Sequence, residues 1–168
     1  MAQCIYCRNG HFNGYAPEFN ERYRNVGAFH DWQERRMRDQ SSRLAFCSKC
    51  GSENIKGCPY CETTIEGDPE SPSERPAYCC ACGQPFPWTE TALRLAREYT
   101  DELEQLSTEE KIALKGTFDN LIVYTPQAEV MVARFKRILK KVGSGATEVL
   151  TKTLVDIASE AMVKLLRG

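Results

Sequence analysis

Cys58-Pro59-Tyr60-Cys61, seventeen further residues, then Cys79-Cys80-Ala81-Cys82-Gly83 is the stretch that decides how this chain is read. Two residues between thiols let a tight turn aim both sulfurs at one tetrahedral ion at about 2.3 Å. Two such pairs at this separation match the spacing of a zinc ribbon. The spacing therefore assigns Cys58, Cys61, Cys79 and Cys82 to one Zn2+.

Working outward, the chain carries nine cysteines, all within residues 4–82. Eight form the pairs Cys4/Cys7, Cys47/Cys50, Cys58/Cys61 and Cys79/Cys82. Chance at this cysteine content gives about half of one such pair, so four is a strong signal. Glycine follows the motif at Gly51 and Gly83, where the chain must turn, and slightly later at Gly10. Only seven residues separate Cys50 from Cys58, too few for a hairpin excursion between two knuckles. Cys47/Cys50 is therefore expected to pair backward with Cys4/Cys7 around a second Zn2+, giving two ions per chain. A cross-braced pairing, first with third and second with fourth, is the alternative. His11 is the alternative to Cys4 in the first site, since Cys7 and His11 could supply two ligands by themselves. Cys80 is left over and reads as a free thiol beside a knuckle.

The 168 residues carry a formal net charge of -1, with 42% hydrophobic and 27% charged residues. This is the composition of a soluble globular chain, and it gives no global pull toward nucleic acid or anionic membranes. No basic n-region with an apolar core opens the sequence. The longest apolar run near the helical end, Leu121-Ile122-Val123-Tyr124, is too short to cross a bilayer. A reducing cytoplasmic location is expected, where paired cysteines serve more often as metal ligands than as disulfides.

Past residue 82 there is no cysteine, and the periodicity becomes helical. The expected fold is α+β: two zinc ribbons on small β-hairpins over 1–88, with an insert at 12–45, then an α-helical region of three to four helices over 89–168. Thr89 reads as the N-cap of a first helix through Leu93, Ala96 and Leu103. Ser107-Thr108-Glu109-Glu110 has capping-box form and starts a second, running through Ile112, Leu114 and Phe118. Pro126 suits the first position of a third helix, which Gly143-Ser144-Gly145 ends. Leu150, Leu154, Ile157, Ala161 and Leu165 trace a fourth.

Three stretches resemble a bacterial zinc-ribbon family, domain-of-unknown-function family 2321. They are Cys7-Arg8-Asn9-Gly10-His11, then Phe46-Cys47-Ser48-Lys49-Cys50-Gly51 with Cys58-Pro59-Tyr60-Cys61, and Tyr78 through Cys82-Gly83-Gln84-Pro85-Phe86-Pro87-Trp88-Thr89-Glu90. The Pro-Trp-Thr-Glu junction is the most specific part, and Leu106 to Lys111 looks similar as well. The resemblance implies a zinc-ribbon protein and little about activity. It adds weight to Cys7 and His11, because the family start offers no partner for Cys4. The long insert after His11 and the extra Cys80 depart from the pattern.

No catalytic constellation stands out. His11 and His30 are the only histidines, and neither a phosphate loop nor a His-carboxylate metal motif is present. A zinc held by four protein ligands keeps no open position, which argues against an enzyme. The leading expectation is a macromolecular, protein-binding module. Its docking surfaces would be the ribbons and the apolar face of the last helix, Leu150, Leu154, Val155, Ala158, Ala161, Met162, Leu165 and Leu166. Self-association through these helices belongs to the same reading. The alternative is nucleic-acid binding. Its carriers would be the N-terminal segment and insert, where Tyr6, Phe12, Tyr15, Phe19, Tyr23, Phe29 and Trp32 interleave with Arg8, Arg22, Arg24, Arg35, Arg36 and Arg38, and the basic third helix with Arg134, Lys136, Arg137, Lys140 and Lys141. Residues 30–43 of the insert could form one short helix.

Overall fold

Four short hairpins repeat one backbone pattern in the computed structural model, which describes residues 2–16, 45–67 and 75–168. In three of them the first cysteine donates its N–H to the carbonyl five residues on. Its own carbonyl accepts from the N–H four residues on. These are Cys47 with Ser52 and Gly51, Cys58 with Thr63 and Glu62, and Cys79 with Gln84 and Gly83. The flanking residues close each hairpin as the bridges Phe46↔Glu53, Gly57↔Thr64 and Tyr78↔Pro85. The hairpin at Cys7 is one residue shorter: its N–H donates to His11 and its carbonyl accepts from Gly10. Each turn needs one left-handed residue, supplied by Gly10 at φ 79°, Gly51 at 70°, Glu62 at 60° and Gly83 at 71°. Glycine adopts this region freely, whereas Glu62 does so against its Cβ.

The chain divides into two compact units, Met1–Pro87 and Trp88–Gly168. In the first, strand β1 (Ala2–Cys7) is central. Strand β2 (Phe12–Tyr15) pairs antiparallel along one edge, with Cys4 opposite Tyr15 and Tyr6 opposite Phe12. Two shorter strands share the other edge. β3 (Asn54–Ile55) lies opposite Cys7 and Tyr6, and β4 (Glu66–Gly67) opposite Gln3 and Ala2. Ile5, Tyr6 and Ile65 form a small core, with Tyr6, Phe12 and Tyr15 stacked edge-to-face at 5.5 and 5.1 Å. The α+β class is borne out. Phe19, Tyr23, Phe29, Trp32 and the expected helix over 30–43 lie outside the described residues.

The second unit is helical. Helix α1 runs Pro87–Asp101 and α2 runs Thr108–Lys115, followed by a 3-10 turn at Phe118–Leu121. Helix α3 runs Ala128–Leu139, α4 Ser144–Val155 and α5 Glu160–Arg167. The core collects Leu114, Phe118, Leu121, Ile122, Leu150, Leu154 and Met162, all fully buried. Phe118 meets Phe135 edge-to-face at 6.4 Å. The capping box at Ser107 is present in full, with Glu110 reaching back to the Ser107 N–H.

Several expectations are corrected: Leu103 lies past the end of α1, Phe118 lies past the end of α2, and Ser144 and Gly145 open α4 rather than end the helix before it. Thr89 is not a cap: the helix already begins at Pro87, and Thr89 is buried within it. Pro126 precedes rather than opens α3, which starts at Ala128. The expected fourth helix is two helices. The Ser159 N–H leaves the helical ladder to donate to the Ile122 carbonyl at 2.8 Å, which ends α4 and starts α5. Half of the apolar stripe expected to dock a partner is turned inward: Leu150, Leu154, Met162 and Leu166 are buried, Val155, Ala158 and Leu165 are half-buried, and Ala161 alone of the eight is exposed.

Candidate metal centres

The hairpins bring their donors together two by two. Cys7, His11, Cys47 and Cys50 place their ligand atoms within 4.8 Å of one another, as do Cys58, Cys61, Cys79 and Cys82. In the second group Cys58 Sγ lies 3.6 Å from Cys82 Sγ, and Cys61 Sγ 3.6 Å from Cys79 Sγ. In the first, Cys7 Sγ lies 3.7 Å from Cys50 Sγ and 3.5 Å from His11 Nδ1, and Cys47 Sγ 3.8 Å from His11 Nδ1. A tetrahedron with ~2.3 Å bonds to sulfur has S···S edges of about 3.8 Å, and ~2.1 Å to nitrogen gives S···N edges of about 3.6 Å. Both donor sets fit such an ion. The same spacing is far beyond a disulfide bond, and all nine cysteines are free thiols.

Cys4 is not part of the first group, and His11 stands in its place. The reason is strand geometry. Cys4 and Cys7 both lie on β1, three residues apart, so they sit about 10 Å apart on opposite faces. Two cysteines with this spacing share an ion only when a turn joins them. Ile5 and Tyr6 between them are strand formers, a local signal that points away from a knuckle. Cys4 is instead fully buried, its N–H donating to the Ile65 carbonyl at 2.7 Å. The turn that does carry a ligand pair is Cys7-Arg8-Asn9-Gly10-His11, whose shorter loop is made good by the longer imidazole. Cys80 is exposed and outside both groups.

Several polar groups organise the first site, and sequence reading missed them. The His11 N–H donates to Cys7 Sγ at 3.3 Å, and Asn9 Nδ2 to Cys50 Sγ at 3.5 Å. Asn13 Nδ2 donates to the His11 carbonyl at 3.0 Å and to Asn54 Oδ1 at 2.9 Å, tying the shorter hairpin to β3. Arg75 Nη1 donates to the Gly10 carbonyl at 3.0 Å. Such outer partners fix ligand orientation and soften thiolate charge.

The thiols divide in their acidity. Burial opposes ionisation of Cys47, yet the N–H groups of Lys49 and Cys50 and the Asn13 side chain bring it down to about 6. The Thr63 hydroxyl and N–H bring Cys61 to about 6 as well. Cys79 is lowered by the N–H groups of Cys82 and Ala81. Cys82 receives the Gln84 N–H, but desolvation and the neighbouring Cys61, Cys58 and Cys79 push it up to about 12. Burial raises Cys7 and Cys4. Four thiols at these separations cannot all ionise together, because each new thiolate raises the next. A divalent cation at the centre removes that conflict and deprotonates the remaining thiols.

Just past α3, Lys141 pairs with Glu110, and within α3 Lys136 Nζ donates to the Leu165 carbonyl at 3.0 Å. Arg134, Arg137 and Lys140 remain exposed. Among the described residues no helix is long and apolar enough to cross a membrane.

A family model described as an uncharacterized protein conserved in bacteria (DUF2321) matches residues 27–166. No curated protein and no solved structure matches the chain. The matched span takes in the six cysteines from Cys47 to Cys82 that face a metal centre, and nearly all of the helical unit, while Cys7 and His11 precede it. Since the match covers most of the 168 residues, the chain belongs to domain-of-unknown-function family 2321, a family conserved in bacteria.

Proposed function

We propose that this protein is a non-enzymatic zinc-ribbon protein, holding two Zn2+ per chain and acting as a protein–protein interaction module in a reducing, cytoplasmic setting. The completeness of the two donor sets carries the reading. Each offers four protein ligands, three thiolates and an imidazole in one and four thiolates in the other, a donor chemistry that suits Zn2+ and leaves no position for water or substrate. Ribbons this small bury little apolar area, so the ion supplies much of their folding free energy. What they then present is a rigid surface. Phe46, beside Cys47, is 67% exposed, and Tyr60, inside the third hairpin, is 58% exposed. Exposed aromatics on a rigid scaffold are common anchors of protein interfaces. The nucleic-acid alternative has less support, since Lys136 and Lys141 of the basic segment already have partners within the chain.

The test is elemental analysis of the purified chain together with affinity capture by the intact protein and by a Phe46→Ser/Tyr60→Ser double variant. The expected result is two zinc ions per chain in both proteins, with a captured partner protein lost only by the variant. Zinc-dependent turnover, or steeply salt-dependent nucleic-acid binding without any protein partner, would overturn the reading.

A further inference from the structure

Helices α3, α4 and α5 leave a groove of about 970 Å³ between them. Helix α5 packs against both α3 and α4. The α3 wall of the groove sets Phe135 and Leu139 beside Lys136 and Lys140, α5 adds Leu166 and Arg167, and the α4 wall presents Ser144, Glu148, Lys152 and Asp156. These four recur every fourth residue and so form one ridge along the whole of α4, about 18 Å long. The lining residues run along the whole of α4, a length over which a helix can be laid in.

The charge order on α4 says which helix. Glu148 and Lys152 make no ion pair among the described residues, although they are four apart. At the same spacing, Arg94 pairs with Glu98 at 2.9 Å and Glu160 with Lys164 at 2.7 Å. Turned end for end, the α4 ridge reads as its own complement. With a two-fold axis at the level of Leu150, Glu148 faces Lys152 of a second copy, and Lys152 faces its Glu148. Asp156 then meets the N-terminal end of the opposite α4 at Ser144, where the helix dipole favours an anion and Lys140 lines the same groove. Val155 falls across from Gly145, which has open space where a Cβ would stand. An acidic partner would match Lys136, Lys140, Lys152 and Arg167 but set like charge against Glu148, whereas the α4 ridge of a second copy carries a cation for Glu148 as well as anions for the others.

We propose that the α3/α4 groove is the seat of α4 from a second copy of this chain, packed antiparallel about a two-fold axis. This deepens the interaction reading by naming one partner, and it draws on no metal ligand. The contact is isologous, so each pairing occurs twice.

Sedimentation equilibrium of the zinc-loaded full chain tests it, up to about 100 μM, a range in which a compact interface of this kind associates. The expected result is a dimer. Glu148→Lys or Lys152→Glu alone places like charges opposite each other twice and weakens it at least about tenfold. The double variant E148K/K152E restores the dimer, and a mixture of the two single variants forms a heterodimer tighter than either homodimer. Both side chains are exposed, so helical content and zinc content should stay unchanged in every variant. A chain monomeric throughout, a dimer indifferent to E148K, or a mixture no tighter than its components would overturn the proposal. None of these outcomes touches the ribbon reading, which rests on the two donor sets and has its docking anchors at Phe46 and Tyr60.

Discussion

Replacing Cys4 and His11 separately by alanine distinguishes the two arrangements of the first metal site. Cys4 is fully buried but lies outside the donor group, and its backbone bond to Ile65 survives the change. Cys4→Ala removes one sulfur from a packed position. The loss is about 1 kcal/mol of burial, rising to about 2 kcal/mol if the space stays empty. For a unit of this size that corresponds to a fall of about 4–8 °C in Tm per kcal/mol. Metal content should remain at two ions per chain. His11→Ala removes the fourth donor of the Cys7 site. Losing an outer-shell partner alone costs 10–100-fold in metal affinity, so losing a ligand should cost more than about 100-fold. The assay is elemental analysis after dialysis against a chelator strong enough to empty a three-ligand site and too weak to empty a four-ligand one. His11→Ala should fall toward one ion, and Cys4→Ala should hold two. The reverse pattern, with Cys4→Ala losing an ion and His11→Ala keeping both, would refute the strand-face argument.

Glu62 holds the left-handed position that glycine fills in the other three hairpins, so Glu62→Gly should raise stability by about 1 kcal/mol in thermal melts of the zinc-loaded chain. Gly57→Ala should do the opposite, because its Cβ would meet the Glu62 carbonyl oxygen at 2.9 Å. Ser107→Ala should cost about 1 kcal/mol in denaturant unfolding of the helical unit, through loss of the cap to Glu110. Glu110 is held below its usual 4.5 by Lys141, and next by the Ser107 N–H. Its folded pKa is depressed, so its contribution is present above pH 4.5 and is lost as pH falls through the folded value. Glu110→Gln should therefore flatten the acid limb of the stability–pH curve, measured by urea titration at successive pH values.

The parts of this fold that were legible in the sequence are those decided locally. Cys58, Cys61, Cys79 and Cys82 announce themselves because a two-residue turn is enough to converge two sulfurs. Ser107 and Glu110 did so because a capping box is complete within four residues. What failed was decided at a distance. The apolar period from Leu150 to Leu165 runs unbroken through a real helix break, because that break is a bond from Ser159 to Ile122, far upstream. Cys4 was misleading for a subtler reason. A Cys-x-x-Cys spacing is silent on whether its backbone turns or extends; Ile5 and Tyr6 lean toward extension, and the pairing of β1 on both edges decides it. One overlooked signal was present: counted from its first ligand, Gly10 comes one residue earlier than Gly51 and Gly83, the mark of the shorter His11 hairpin.

Strand β1 also has a consequence for how the two ions are taken up. One edge of it is divided between β3, which leads out of the hairpin holding Cys47 and Cys50, and β4, which leads out of the hairpin holding Cys58 and Cys61. On the proposed loading, an ion in either donor set would organise a segment that steadies the same strand, and that strand ends on Cys7. The first ion to bind would bear part of the ordering entropy that the second would otherwise meet, so the two affinities would rise together and by the same factor. Under metal scarcity such a protein would not fill by halves. Its molecules would sort into a doubly loaded population and an empty one, and the supply of metal would set how many competent copies exist rather than how complete each copy is.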